Sequence, residues 1–276
     1  MKRDRASLTA LAVAAARALS GVDPYAHMFL PQWLAERVDT ASFAKRKQAI
    51  AWLSFGLVAH IKSRTIAIDE ALAQAVSRGA NQVIILGAGL DSRAYRMHQL
   101  ASATVYEVDH PATQAKKLES LHFMKAGARM VRHVAVDFER DSLTDALEAA
   151  GHQPNQPTVW VWEGVTMYLA PAAVRATLSV IEQRSASSSH LIVTYMTPSF
   201  LGIPLVGPLL ARTSLATVGE PLRASYSPSD MRTLLARHNF DVAWDGFPSE
   251  WPSVERAGFH FPFIEERTVV AERGDT

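Results

Sequence analysis

The sequence predicts an α/β protein: a mostly parallel sheet with helices on both faces. Three observations predict it. From residue 82 onward, short apolar runs rich in Val, Ile, Tyr or Trp alternate with helix-like segments, as right-handed crossovers between parallel strands require. The first eighty residues instead keep a helical period with no alternation, as a cover for a sheet does. The 276-residue chain is 48% hydrophobic and 20% charged, which is enough apolar material for a sizeable core.

In chain order, Leu8, Leu11 and Val13 lie in an Ala-rich stretch that reads as a helix stopping at Gly21, ahead of the turn Asp23-Pro24. Lys2, Arg3 and Arg5 before this stretch resemble the basic start of a signal peptide. Asp4 interrupts the basic part and Arg17 the apolar part, so a helix in a cytoplasmic protein is the expectation. Residues 45–76 read as a long helix carrying Ile50, Leu53, Leu57, Val58, Ile61, Ile66 and Ile68. Strands follow at 82–86, 104–108, 130–136, 158–162 and 190–196, with helices at 90–100, 111–126, 143–150 and 172–185. A helix at 228–238, a strand near 241–244 and a last strand at 268–271 complete a seven-stranded sheet. Pro198, Pro204, Pro208 and Pro221 among several glycines mark a late insertion at about 197–225, a lid or an irregular packing element. The expected organisation is one structural domain, with a helical N-terminal cover over 1–80 and the core over 81–276.

Composition removes several functions. With 28 Lys+Arg against 27 Asp+Glu, the net charge of +1 argues against a broad nucleic-acid surface. Zero cysteines exclude a disulfide scaffold, a thiolate metal site, an iron–sulfur cluster and a Cys nucleophile. No apolar run approaches the ~20 residues that span a bilayer.

Sheets of this kind bind ligands beyond the carboxyl ends of their strands. After the first strand, Gly87-Ala88-Gly89 allows close backbone approach, but Ser92 stands where a dinucleotide fingerprint has its third glycine. About 20 residues on, Asp109 ends the second strand and is placed to accept from ribose hydroxyls, with Glu107 in reserve. A helix cap ahead of Pro111 is the plainer reading of Asp109. Asp137 and Phe138 end the third strand, where they suit an adenine amino group and ring, or a simple turn. Glu163 closes the apolar fourth strand, and a buried carboxylate there needs a partner such as Arg64 or a cationic ligand. Acids with a G-x-G turn suit a positively charged nucleoside, and S-adenosylmethionine is one.

Five segments in order carry a family resemblance: Asp23-Pro24-Tyr25-Ala26-His27-Met28-Phe29-Leu30, Ser63-Arg64-Thr65-Ile66-Ala67-Ile68-Asp69, Leu86-Gly87-Ala88-Gly89-Leu90-Asp91-Ser92-Arg93-Ala94-Tyr95-Arg96, Tyr106-Glu107-Val108-Asp109-His110-Pro111 and Trp162-Glu163-Gly164-Val165-Thr166-Met167-Tyr168-Leu169. With these the sequence resembles the leucine carboxyl methyltransferase-like family of class I S-adenosylmethionine-dependent methyltransferases, in its bacterial small-molecule O-methyltransferase branch. The resemblance implies a Rossmann-like fold. It also implies that Arg64 binds the cofactor's methionine carboxylate, that Gly87 and Gly89 approach its methionyl part, and that Asp109 holds the ribose. Asp137 and Phe138 then contact adenine, Glu163 the methionine amino group, and Tyr168 lies on the methyl-transfer side. Family members also close an N-terminal helix over the cofactor, with a basic residue there in the phosphatase-modifying members that the motifs do not align here.

The expected chemistry is in-line methyl transfer from S-adenosylmethionine to a carboxylate of a small molecule, with no metal, nucleic acid or membrane partner. A carboxyl group with a pKa of about 4 is already ionised at neutral pH and needs no strong base. Arg93, His110, Tyr168 and Tyr195 are candidates to orient it; ion pair, cap and strand residue are the plainer readings of Arg93, His110 and Tyr195, whereas for Tyr168 the orienting role is placed ahead of a core aromatic. The alternatives are methylation of a phenol, enol, nitrogen or carbon, an NAD-dependent oxidoreductase, and a non-catalytic S-adenosylmethionine-binding protein. The missing glycine at 92 and the otherwise purposeless Glu163 count against the oxidoreductase.

Overall fold

A computed structural model of the chain describes residues 8–39, 56–121, 124–138, 140–198, 222–254 and 265–274. The helices are α1 (Leu8–Ser20), α2 (Gln32–Asp39), α3 (Leu57–Ser77), α4 (Arg93–Arg96), α5 (Pro111–Ser120), α6 (Leu143–Ala149), α7 (Pro171–Gln183) and α8 (Pro228–Ala236). The strands are β1 (Gln82–Leu86), β2 (Thr104–Asp109), β3 (Met130–Ala135), β4 (Thr158–Trp162), β5 (His190–Met196), β6 (Phe240–Gly246) and β7 (Glu266–Arg273).

They form one seven-stranded sheet in the order β3-β2-β1-β4-β5-β7-β6. Strands β1 to β5 run parallel, and β7 is antiparallel to both β5 and β6. The order reverses between β1 and β4, so the loops after β1, β2 and β4 meet at one crevice.

Side-chain alternation explains why both faces are covered. Val83, Ile85, Val105, Val159, Val161 and Ile192 point to one face and pack under Ala67, Ile68, Ala71 and Leu72 of α3. Ile84, Leu86, Trp160, Trp162, Leu191 and Val193 point to the other, against Leu147, Val174, Leu178 and Leu235 of α6, α7 and α8. Helix α1 joins α3 through Ala16, Val58 and Ile61. Among the described residues no helix is long and apolar enough to cross a membrane.

Strands β1, β4 and β5 begin and end where the apolar runs predict, and α1 stops before Gly21, whose φ of +70° a side chain disfavours. The helix expected at 90–100 is different. Only Arg93–Arg96 is α-helical, because Met97 is extended (φ −94°, ψ 106°), and a short 3-10 turn, His98–Leu100, follows. The helix expected at 111–126 ends at Ser120. The first part of the long helix expected at 45–76, and residues 199–221 of the expected insertion, lie outside the described residues.

One buried histidine makes stability pH-dependent. His152 is 3% exposed; Arg184 Nε donates to its Nδ1 at 3.2 Å, which leaves Nε2 to donate to Thr158 Oγ1 at 3.0 Å. Burial and the Arg184 guanidinium push its pKa down to about 4 from 6.5. Below pH 6.5 the unfolded chain takes up a proton that the folded chain refuses, so stability is complete above 6.5 and declines as pH falls toward 4. The expected slope approaches about 1.4 kcal/mol per pH unit for this group. Urea unfolding at pH 7 and pH 5 checks it: His152→Gln should flatten the difference, and an unchanged difference would refute the assignment.

Candidate functional site

The crevice at the carboxyl ends of β1, β2 and β4 is organised by backbone before any side chain is considered. The amides of Gly87 and Ala88 both donate to the Val108 carbonyl, at 2.9 and 3.0 Å, which folds the turn after β1 back onto β2. Gly87 has φ +69°, and a Cβ there would come within 2.6 Å of Val165 Cγ2, so both conformation and space require glycine. Gly89 (φ +47°) donates its amide to Asp109 Oδ2, while Asp109 Oδ1 accepts from the His110 amide at 2.6 Å. Asp109 is therefore aimed at the glycine turn and is not the cap of α5. His110 is that cap, its Nδ1 accepting from the Ala112 amide at 3.2 Å. Burial raises the Asp109 pKa, and the two amides oppose the rise only in part.

The reserve residue Glu107 serves another purpose. It is 1% exposed, lies 2.7 Å from Lys117 Nζ and 3.3 Å from His133 Nδ1, and belongs to the packing between β2, β3 and α5. At the end of β3, the Val136 amide donates to the Asp109 carbonyl at 2.9 Å, bringing Asp137 beside the end of β2. Asp137 Oδ2 is 4.0 Å from His110 Nε2, and Phe138 is 44% exposed. A large exposed aromatic at this sheet end leaves a face for a planar ring.

Glu163 is the electrostatic centre. Its Oε1 accepts from Arg17 Nη2 and Arg64 Nε, both at 2.8 Å, and its Oε2 from Arg93 Nη1 at 2.7 Å. Burial alone would raise its pKa, but Arg17, Arg93 and Arg64 outweigh burial and hold it well below the usual carboxylate range. Each guanidinium is itself tied down. Arg93, 0% exposed, also meets Asp69 at 2.6 Å and Asp91 at 2.5 Å, and Arg64 Nη1 donates to Glu266 Oε2 at 2.6 Å. The loop carrying Glu163 is fixed to β5, with the Gly164 amide donating to Thr194 Oγ1 (2.8 Å) and Thr166 Oγ1 donating to the Thr194 carbonyl (2.6 Å). Tyr168 lies half-buried in the 3-10 turn Thr166–Tyr168 that follows.

The structure thus brings Arg64, Gly87, Gly89, Asp109, Asp137, Phe138, Glu163 and Tyr168 to the same end of the sheet. Three other sequence candidates have structural work: Arg93 is an ion pair, His110 a cap, and the Tyr195 hydroxyl donates to Asp245 at 3.1 Å. Ser92, in place of a third glycine, is fully buried and donates to Asp23 Oδ2 at 2.6 Å, which ties the Asp23-Pro24 turn to the site.

Sequence reasoning missed Arg17 and Glu266. A signal for Arg17 existed, since it is the one charge in α1, a cation on an otherwise apolar helix. Glu266 opens β7 with no motif around it. Its pKa is lowered to about 2, because Arg64 and His60 outweigh the opposing effect of burial.

These donors and acceptors fit S-adenosylmethionine. A carboxylate and a guanidinium side by side match an amino-acid zwitterion, and Asp109 and Asp137 supply acceptors at the two neighbouring strand ends.

Comparisons agree with this chemistry. Residues 5–182 match the leucine carboxyl methyltransferase family. A Streptomyces coelicolor protein, provisionally named an S-adenosyl-L-methionine-dependent methyltransferase, is 36% identical over 246 residues, covering 85% of this chain and 83% of that one. A Rhodococcus jostii protein provisionally named in the same way is 39% identical over 190 residues, and the match covers 67% of this chain but 64% of the relative. A Mycobacteroides abscessus protein, also so named, is 34% identical over 195 residues with the same coverage of 67% and 64%, so the chain spans less than two thirds of these two relatives. In fold, the chain is similar to a crystal structure described as a methyltransferase, again provisionally, from Thermobifida fusca (TM-score 0.63, 16% identity, 95% and 94% covered). It is similar also to a DUF574 family protein of Streptomyces avermitilis (TM-score 0.65, 13% identity, 94% and 96% covered). The chain belongs to the leucine carboxyl methyltransferase family, a family of S-adenosylmethionine-dependent methyltransferases.

Proposed function

We propose that the chain is an S-adenosylmethionine-dependent methyltransferase that methylates a carboxylate oxygen of a small molecule. The observation that carries the reading is the Glu163–Arg64 pair, 2.8 Å apart at the crevice where the glycine turn meets Asp109. Bound there, S-adenosylmethionine supplies an electrophilic methyl group on a sulfonium.

The residues divide the task by chemistry. Glu163 accepts from the α-ammonium group; a carboxylate has about four lone-pair positions, of which the arginines occupy three. Arg64 and Arg17 receive the α-carboxylate. Asp109 accepts from ribose hydroxyls, Asp137 from the adenine amino group, and Phe138 lies against the ring. Gly87 and Gly89 keep side chains out of the methionyl path, and Tyr168 orients the acceptor. Orientation of this kind contributes on the order of 7–11 kcal/mol relative to a bimolecular encounter.

Support for a carboxylate acceptor comes from the family. Arg93, His110 and Tyr195, candidates to orient that carboxylate, are instead engaged by Glu163, the Ala112 amide and Asp245 respectively. An acceptor already ionised at neutral pH suits such a site.

Calorimetric titration with S-adenosylmethionine, S-adenosylhomocysteine and NAD tests the cofactor. Binding of the first two is expected; binding of NAD alone would overturn the reading. Incubation with aromatic and aliphatic carboxylic acids, read by mass spectrometry, should give methyl esters. Products methylated only on nitrogen or carbon would reject the carboxylate and leave the cofactor standing.

A further inference from the structure

Arg64 is bound on two sides. Its Nε donates to Glu163 and its Nη1 to Glu266 Oε2 at 2.6 Å, from a side chain that is 6% exposed. Glu266 is the first residue of β7 and pairs in register with Met196, the last residue of β5, so the sheet itself fixes where this carboxylate stands. Behind it, His60 Nε2 lies 2.7 Å from the same Oε2 and donates to it. His60 and Arg64 are one helical turn apart on α3, so one helix face presents both to one oxygen. A guanidinium has five N–H groups in a rigid plane, and holding two of its nitrogens fixes where the rest point. The third nitrogen, Nη2, lies with Nη1 beside Gly164, whose Cβ position would stand 3.9 Å from Nη2 and 4.0 Å from Nη1.

We propose that Glu266 is a positioning residue for cofactor binding: acting through Arg64, it aims the free edge of the guanidinium at the cofactor's carboxylate, while His60 offsets its charge. The proposal rests on the cofactor reading above. The offset is needed because a bare second carboxylate on Arg64 would repel the incoming one as well as aim its partner. A hydrogen-bonded His60 on the same oxygen draws that charge away from the ligand's side.

The test compares two ligands that share a nucleoside. S-adenosylhomocysteine carries the amino-acid end, and 5′-methylthioadenosine lacks it. Titrated into the full chain, S-adenosylhomocysteine should bind Glu266→Gln about tenfold more weakly than wild type, the scale of one charged hydrogen bond. The same substitution should change methylthioadenosine affinity by less than about twofold, and should add less than about twofold to the loss already caused by Arg64→Ala, because one residue acts through the other. His60→Ala, at the outer end of the chain of contacts, should weaken S-adenosylhomocysteine alone. It decides the matter by itself if Glu266→Gln does not fold, since unchanged affinity there would overturn the proposal. Unchanged or stronger S-adenosylhomocysteine binding by Glu266→Gln, equal losses for both ligands, or losses that add to Arg64→Ala would also overturn it. A wild-type chain that binds neither ligand would overturn the cofactor reading and this proposal together.

Discussion

Glu163→Gln is expected to lower the melting temperature by on the order of 10 °C and to abolish detectable S-adenosylhomocysteine binding. Arg17, Arg64 and Arg93 converge on this one carboxylate, which is 7% exposed. The substitution keeps the shape and removes the charge, leaving three guanidiniums with one anion fewer among them. Removing one partner of a buried pair costs about 3–5 kcal/mol, and in a chain of this size each kcal/mol moves the midpoint by about 2–4 °C. The binding loss comes from the same cause, because the ammonium group of the ligand would meet an amide flanked by cations. Methylthioadenosine, which has no ammonium group, should still bind whatever fraction remains folded. Differential scanning calorimetry and titration read the two effects separately. A midpoint within about 2 °C of wild type would contradict the burial argument, and unchanged S-adenosylhomocysteine affinity would mean the ligand sits elsewhere.

Asp109→Asn should weaken both ligands by roughly two orders of magnitude, since both present the ribose and hydrogen bonds to a charged acceptor contribute about 1.5–3 kcal/mol each. The Gly89 and His110 amides already occupy one oxygen each, and an asparagine has one oxygen to offer them. A pH dependence accompanies this. Burial raises the Asp109 pKa, and only the ionised form accepts from two amides and a ribose hydroxyl together. Affinity should therefore be full above the raised pKa and fall as pH drops through it, at a higher pH than for an exposed aspartate. Titrations from neutral pH downward should show the fall in wild type and its absence in Asp109→Asn. Parallel curves would assign the dependence to another group.

The strands were legible because they are local. Runs such as Val-Ile-Ile-Leu and Val-Trp-Val-Trp carry their own pattern, and the acids at their ends follow from where parallel strands stop. Asp109 was separable from Glu107 because only the last residue of β2 reaches the crevice. The short α4 was not legible, since nothing in Arg93–Arg96 announces that Met97 will be extended. Glu266 was hidden for a different reason, and although the lone charge of Arg17 on α1 was visible, its pairing was hidden in the same way. Their partners lie 202 and 146 residues away, and an ion pair across such a distance leaves no period, cap or turn signal in the sequence.

The antiparallel insertion of β7 between β5 and β6 bears on synthesis. Glu266 reaches Arg64 only once β7 has slotted between strands made earlier, so the electrostatic centre cannot be finished on a nascent chain that ends before it. Until β7 leaves the ribosome, Arg64 has Glu163 as its carboxylate partner and its second anchor, Glu266, is still to come.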